Sequence, residues 1–286
     1  MKCVKEIPRL LYGTAWKKER TGDLVLQALE SGFPGIDTAG MPKHYNQRSA
    51  GEGLLRWYQA SGKTREDVFI QTKFSPVNRA DPQSVRDAPF DPKAAWDKQV
   101  HQSAAASLVD LSTNYLDCYV LHSPAPTKEA NLLIWKGFEE LVAEGTVHSL
   151  GISNIYDPSL LEFMWNTATV KPRVVQNRFY PATNYDKEIR EFCLAHDITY
   201  QSFWTLTANW PVIERIATTE GGFTAEQMFF RYVMDLGVSP LSGTTSPDHM
   251  RQDVAVLQMD SLNAQQSKDI EILLLKYVQG HFAQSH

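Results

Sequence analysis

The 286-residue sequence predicts an α/β fold, a closed (β/α)8 barrel of the TIM type with its active site at the C-terminal ends of the strands. Three observations predict it. Short apolar runs rich in β-branched and aromatic residues recur eight times along the chain. Each is followed by a stretch with helical periodicity, which carries the chain back to the same edge and implies parallel pairing. The runs are continuously apolar, as expected of strands covered on both faces. A doubly wound open sheet satisfies the same count, and counting alone does not separate the two.

In order, the runs at 10–14, 35–39, 68–74, 115–122, 149–154, 174–180, 199–204 and 238–244 precede helical patterns at 21–31, 47–61, 93–112, 129–144, 157–168, 187–196, 224–236 and 247–257. A final helical pattern covers about 264–279. Asp157-Pro158 puts a capping residue before a first-turn proline. Thr224 with Gln227 resembles a capping box, and Ser246-Pro247 opens the next helix in the same way. Gly32, Gly145 and Gly237 stand where helices should end. Residues 75–92 break the rhythm with four prolines and no clear periodicity, the mark of a long functional or irregular loop. No linker interrupts the pattern, so residues 1–286 read as one barrel domain.

Composition narrows the function. A formal charge of -5 argues against a nucleic-acid surface and leaves no basic patch for anionic lipid. No apolar run is long enough to span a membrane, and residues 1–9 lack the apolar stretch of a signal peptide. Cys3, Cys118 and Cys193 are too scattered for a disulfide framework or a metal site, and Cys118 and Cys193 read as buried small hydrophobes. These features lead us to expect a cytoplasmic enzyme with a small-molecule partner and no metal.

In such a barrel the chemistry lies where strands end. The predicted second, third and fourth strands close with Asp37, Lys73 and His122, the fifth with Ser153-Asn154, and the sixth carries Gln176. A lysine beside a carboxylate stays charged, and its charge lowers the pKa of a nearby phenol toward neutrality. Tyr45, in the loop after the second run, supplies such a phenol, and a neutral His122 beside it can orient a carbonyl oxygen. Taken singly, Asp37 reads as a cap or turn residue, His122 as a hydrogen-bonded core histidine and Tyr45 as a packing lid; three ionisable residues at successive strand ends favour a functional reading.

With these motifs the chain resembles the aldo-keto reductase family from Gly13-Thr14 to Asp253, and looks closest to its fungal-type members. The carriers are Ile-Asp-Thr-Ala around Asp37, Tyr45, Thr-Lys-Phe around Lys73, Leu-His-Ser-Pro around His122 and Gly-Ile-Ser-Asn at 151–154. The resemblance implies an NADP(H)-dependent oxidoreductase that reduces an aldehyde or ketone, with Tyr45 as proton donor and Asp37, Lys73 and His122 completing the catalytic set. It further implies that Ser153, Asn154 and Gln176 hold the nicotinamide carboxamide and that Phe203 stacks on the ring. Gly13, Thr14, Asp37, Leu206, Gly243, Thr244, Thr245, His249, Gln252 and Asp253 complete the implied cofactor site. Trp16, Tyr45, Phe74, His122, Tyr180 and Trp204 form the implied substrate pocket. The chain departs from the family in a Tyr45 loop three residues longer than usual, and in Trp204-Thr205 where Ser-Pro is usual. It also has Gly243-Thr244-Thr245-Ser246 where a Lys-Ser pair is common, which leaves NAD(H) admissible beside NADP(H). Two other uses of this barrel stay open: a cofactor-sensing binding module similar to potassium-channel β subunits, and a redox-neutral pathway enzyme.

Overall fold

The computed structural model describes residues 5–78, 80–218 and 222–283; Cys3 and the first four of the nine residues read for a signal peptide lie outside the described residues. Among the described residues eight parallel strands close in chain order: β1 (Leu11–Gly13), β2 (Gly35–Asp37), β3 (Phe69–Phe74), β4 (Cys118–Leu121), β5 (Leu150–Ser153), β6 (Val174–Arg178), β7 (Thr199–Phe203) and β8 (Val238–Ser242). β8 pairs back onto β1, so the open-sheet alternative is set aside. Every strand lies within its predicted run, and all but β3 stop one or two residues before the end of the run.

The helices that follow these strands begin and end as the punctuation implies. Asp157 Oδ1 accepts from the Ser159 N–H at 2.9 Å and opens the helix Pro158–Thr167. Thr224 and Gln227 form a reciprocal capping box on Ala225–Asp235. Gly32, Gly145 and Gly237 adopt positive φ of 100°, 77° and 79°, the left-handed conformation that glycine enters at no steric cost. The 75–92 segment contains a short helix, Pro82–Arg86, which the absence of periodicity concealed; Asp81 caps it. Helix Gln47–Ser61 packs so closely on Thr21–Glu30 that a Cβ at Gly53 would lie 2.4 Å from the Gly22 carbonyl oxygen. Only glycine permits that approach, which holds the start of the helix directly after Tyr45 against the barrel wall.

Inside the barrel, side-chain alternation sorts the residues into layers. Leu11, Phe69, Cys118, Val120, Val174 and Leu241 form an apolar plug. One strand repeat beyond Phe69 and Val174 come Gln71 and Gln176, and one repeat beyond Gln71 comes Lys73. The larger core lies outside the strands, between sheet and helices. Among the described residues no helix is long and apolar enough to cross a membrane, and no cluster of His, Cys, Asp and Glu side chains is placed to hold a metal ion.

Candidate active site at the strand ends

Asp37 and Lys73 end adjacent strands on the inner face and are almost fully buried. Lys73 Nζ donates to Asp37 Oδ2 at 2.6 Å and to the Thr38 carbonyl at 2.8 Å. The other carboxylate oxygen, Oδ1, accepts from the side-chain amides of Gln71 at 2.7 Å and Gln176 at 3.0 Å. Gln201 Oε1 accepts from the same two amides and its own amide donates to Gln71. A buried ion pair is stable only when its remaining lone pairs are satisfied. The glutamine layer meets that requirement, and Thr14 reinforces it by donating its N–H and its hydroxyl to the Asp37 carbonyl.

Burial pushes the Lys73 ammonium toward lower pKa, but the Asp37 carboxylate, Tyr45 and the hydrogen bond to Asp37 together hold it above the ordinary lysine value. Tyr45 lies against this ammonium, with Lys73 Nζ 5.2 Å from its ring centroid, and its ring meets His122 edge-on at 5.8 Å. The loop reaches this position through a turn in which the His44 and Tyr45 N–H groups both donate to the Met41 carbonyl. Gly40 N–H binds the Lys73 carbonyl, and Asn46 caps the following helix through the Ser49 N–H. The loop thus delivers Tyr45 to Lys73, and a cleft of about 480 Å³ runs along it past Trp16, Met41 and His44.

The phenol itself corrects one expectation. Burial raises its pKa, the Lys73 charge pulls it down, Asp37 opposes that pull, and the net displacement is upward and not toward neutrality. Tyr45 is therefore a protonated phenol at neutral pH, the form a proton donor needs. Burial, then the Lys73 charge, then His44 push His122 down to about 3, so its ring is neutral. Its Nδ1 is 2.6 Å from Ser75 Oγ; with the serine as donor, the ring proton is on Nε2.

Phe74 is a second correction. It is fully buried with its ring against Phe90 and Phe138, in the core outside the barrel. Alternation requires this, because its neighbour Lys73 points inward. Trp16, Asn154 and Trp204, at the ends of β1, β5 and β7, all take positive φ, at 63°, 54° and 57°. Strained non-glycine residues gather at functional rims. Trp16 and Trp204 are exposed, the Trp16 ring lies tilted against His44 at 4.0 Å between centroids, and Tyr180 is half-buried after β6.

The residues assigned to a cofactor fall in two groups. Beside His122, Ser153 Oγ donates to the Gln176 carbonyl and Asn154 donates its amide to the His122 carbonyl at 2.8 Å, with Phe203 and Leu206 half-buried on β7 and just beyond it. Gln176 itself turns its amide nitrogen down onto Asp37 and Gln201. After β8, Gly243, Thr245, His249 and Gln252 are exposed, the Tyr12 hydroxyl holds the Thr244 carbonyl, and Ser246 caps the helix Pro247–Ala255. Lys17, from the loop after β1, donates to the Gly243 carbonyl. An ammonium, threonine hydroxyls and a helix N-terminus are together a donor set chemically suited to the phosphates of a nicotinamide nucleotide.

Asp253 closes this region, nearly inaccessible and accepting from Ser242 Oγ at 2.6 Å. Burial raises its carboxyl from 3.8 to about 6, against the opposing Ser242 hydrogen bond and His249. The folded state therefore holds a proton that the unfolded chain has released in that interval. The resulting stabilisation is complete below the unfolded value and lost as pH rises through the folded one. Asp253→Asn lacks this titration. Denaturant unfolding of both proteins should show wild type losing about 2–3 kcal/mol relative to the variant between about pH 4 and pH 7. A difference independent of pH contradicts the assignment.

Sequence reasoning missed Gln71 and Gln201, which seat Asp37, and Ser75, which sets His122. A polar residue within an apolar run was the available signal for the two glutamines.

The chain is similar to known proteins in sequence and in fold. The sequence model described as the aldo/keto reductase family matches residues 10–209. The NAD/NADP-dependent indole-3-acetaldehyde reductase of Schizosaccharomyces pombe is 29% identical, over 96% of this chain and 93% of the relative. An aldo-keto reductase of Mycolicibacterium paratuberculosis is 30% identical, over 83% and 76%. The crystal structure of an aldo/keto reductase from Brucella melitensis superposes with a TM-score of 0.77 at 25% identity, covering 94% of this chain and 96% of that one.

Proposed function

The chain belongs to the aldo/keto reductase family of oxidoreductases, and from that premise we propose that it reduces an aldehyde or ketone to the alcohol with NADP(H), NAD(H) serving as the alternative nucleotide. The observation that carries the reading is the buried Lys73–Asp37 pair lying directly beneath a protonated Tyr45 and beside a neutral His122. His122, with its ring proton on Nε2, donates to the substrate carbonyl oxygen and orients it. Tyr45 gives the same oxygen its proton as the carbonyl is reduced. Lys73 stabilises the phenolate that results, and Asp37 keeps Lys73 charged and aimed. Ser153, Asn154 and Phe203 hold the nicotinamide, while Lys17, Thr244 and Thr245 hold its phosphates. The bound nucleotide supplies hydride to the carbonyl carbon, and fixing that group against the substrate is positioning catalysis. Two described cysteines, Cys118 and Cys193, are free and buried, in keeping with a reducing cytoplasm.

The test is loss of reduced-nucleotide absorbance with aromatic and aliphatic aldehydes, with the alcohol identified as product. Saturable nucleotide binding with no oxidation by any carbonyl compound would favour the sensing module. Product formed without nucleotide consumption would favour redox-neutral chemistry.

A further inference from the structure

Arg178 ends β6 on the inner face, opposite Phe203 in register and one strand repeat, about 7 Å, beyond Gln176 toward the mouth. Its guanidinium carbon lies 4.1 Å from the Trp204 ring centroid, 5.2 Å from Tyr180 and 5.9 Å from Phe203. The group is half-buried among three aromatic rings at the rim where substrate must enter.

Its polar atoms set it apart from the structural arginines of this chain. Arg65 donates to Asp117, Thr113 and two carbonyls, and Arg231 to Asp235 and the Met259 carbonyl. Among the described residues Arg178 makes no side-chain hydrogen bond and no ion pair, and its Nε is buried without a partner. A guanidinium offers five donors in a planar fork. The contact with Trp204 satisfies none of them. Trp204 in turn keeps a left-handed backbone to present its ring. A buried donor left unpaired is costly, and a guanidinium with its Nε out of water and its remaining donors unpaired suits a planar anion by bidentate contact.

We propose that Arg178 is the specificity-determining residue of this site and binds the carboxylate of an oxoacid whose carbonyl lies at Tyr45. The proposal rests on the carbonyl-reductase reading and extends it to a substrate class: carbonyl compounds that also bear an anionic group. The carboxylate accepts from the guanidinium while the aromatic rings pack the substrate's carbon frame.

A rigid pair of probes tests it: 4-carboxybenzaldehyde and its neutral methyl ester. Wild type should favour the carboxylate in kcat/KM by about 10–100-fold, the range expected of a hydrogen bond to a charged group. Arg178→Met should abolish that preference, chiefly through KM, while leaving the ester within about threefold and nucleotide affinity unchanged. Wild type showing no preference overturns the proposal without any variant. Equal loss on both probes, or weakened nucleotide binding alone, assigns Arg178 to packing or to cofactor phosphate and also overturns it. Binding of 4-(hydroxymethyl)benzoate against 4-(hydroxymethyl)benzamide, followed by tryptophan fluorescence, gives a readout free of turnover. Selective binding of the carboxylate without reduction of either aldehyde leaves the anion site standing and rejects the reductase reading. Absence of selective binding in a protein that reduces neutral aldehydes does the reverse.

Discussion

Replacing Tyr45 by phenylalanine should lower kcat for carbonyl reduction by about 10²–10⁴-fold, the usual contribution of a positioned general acid. Nucleotide affinity should stay within about threefold, because the ring remains and only the hydroxyl is lost. The direction follows from the protonation states. Burial raises the phenol, so at neutral pH it carries the proton it must give. His122, held down to about 3, has no second proton to offer and serves as a hydrogen-bond donor only. Lys73 remains bound to Asp37 and the Thr38 carbonyl and does not take the place of the missing hydroxyl. Steady-state kinetics with a fluorescence titration of reduced nucleotide separates the two parameters. Full turnover in Tyr45→Phe would remove the tyrosine from the chemistry, and parallel loss of nucleotide binding would mean that the loop had collapsed.

The same residues show what was legible in the chain and what was not. All eight strands could be read because a strand covered on both faces must be apolar throughout, and that pattern survives in one dimension. Asp37, Lys73 and His122 stood out because a charge or imidazole at the end of such a run demands an explanation. The interruption by Pro82–Arg86 went unread because five residues carry too little periodicity to register. Phe74 was misplaced because strand-end position was weighed above alternation, although its neighbour Lys73 already claimed the inner face. Gln71, Gln176 and Gln201 meet only through the stagger of three strands that closure brings together, a relation that no spacing along the chain expresses. Arg178 was passed over for the same reason: its rings come from β7 and the loop beyond β6, and its lack of a polar partner is a property of the folded rim.

Lys73→Met should be inactive and should also lower the unfolding free energy by about 3–5 kcal/mol, the cost of stranding one member of a buried ion pair. The ammonium side chain is 1% exposed and its carboxylate partner 3%, so water does not replace the lost charge. Asp37 would then take up a proton or draw water inward, and either response disturbs the glutamine layer. Adding Asp37→Asn should reverse most of that loss. An asparagine Oδ1 can still accept from the Gln71 and Gln176 amides, since both already bind that oxygen, and no net charge remains to be neutralised. The double variant should therefore approach wild-type stability in denaturant unfolding while remaining inactive, because nothing is left to stabilise a phenolate at Tyr45. Stability and turnover respond oppositely only if the pair has two separable roles: mutual neutralisation inside the barrel, and a fixed positive charge beneath the phenol. If Lys73→Met unfolds like wild type, the buried pair is not charged as described. If the double variant regains turnover, Lys73 has no part in the proton transfer.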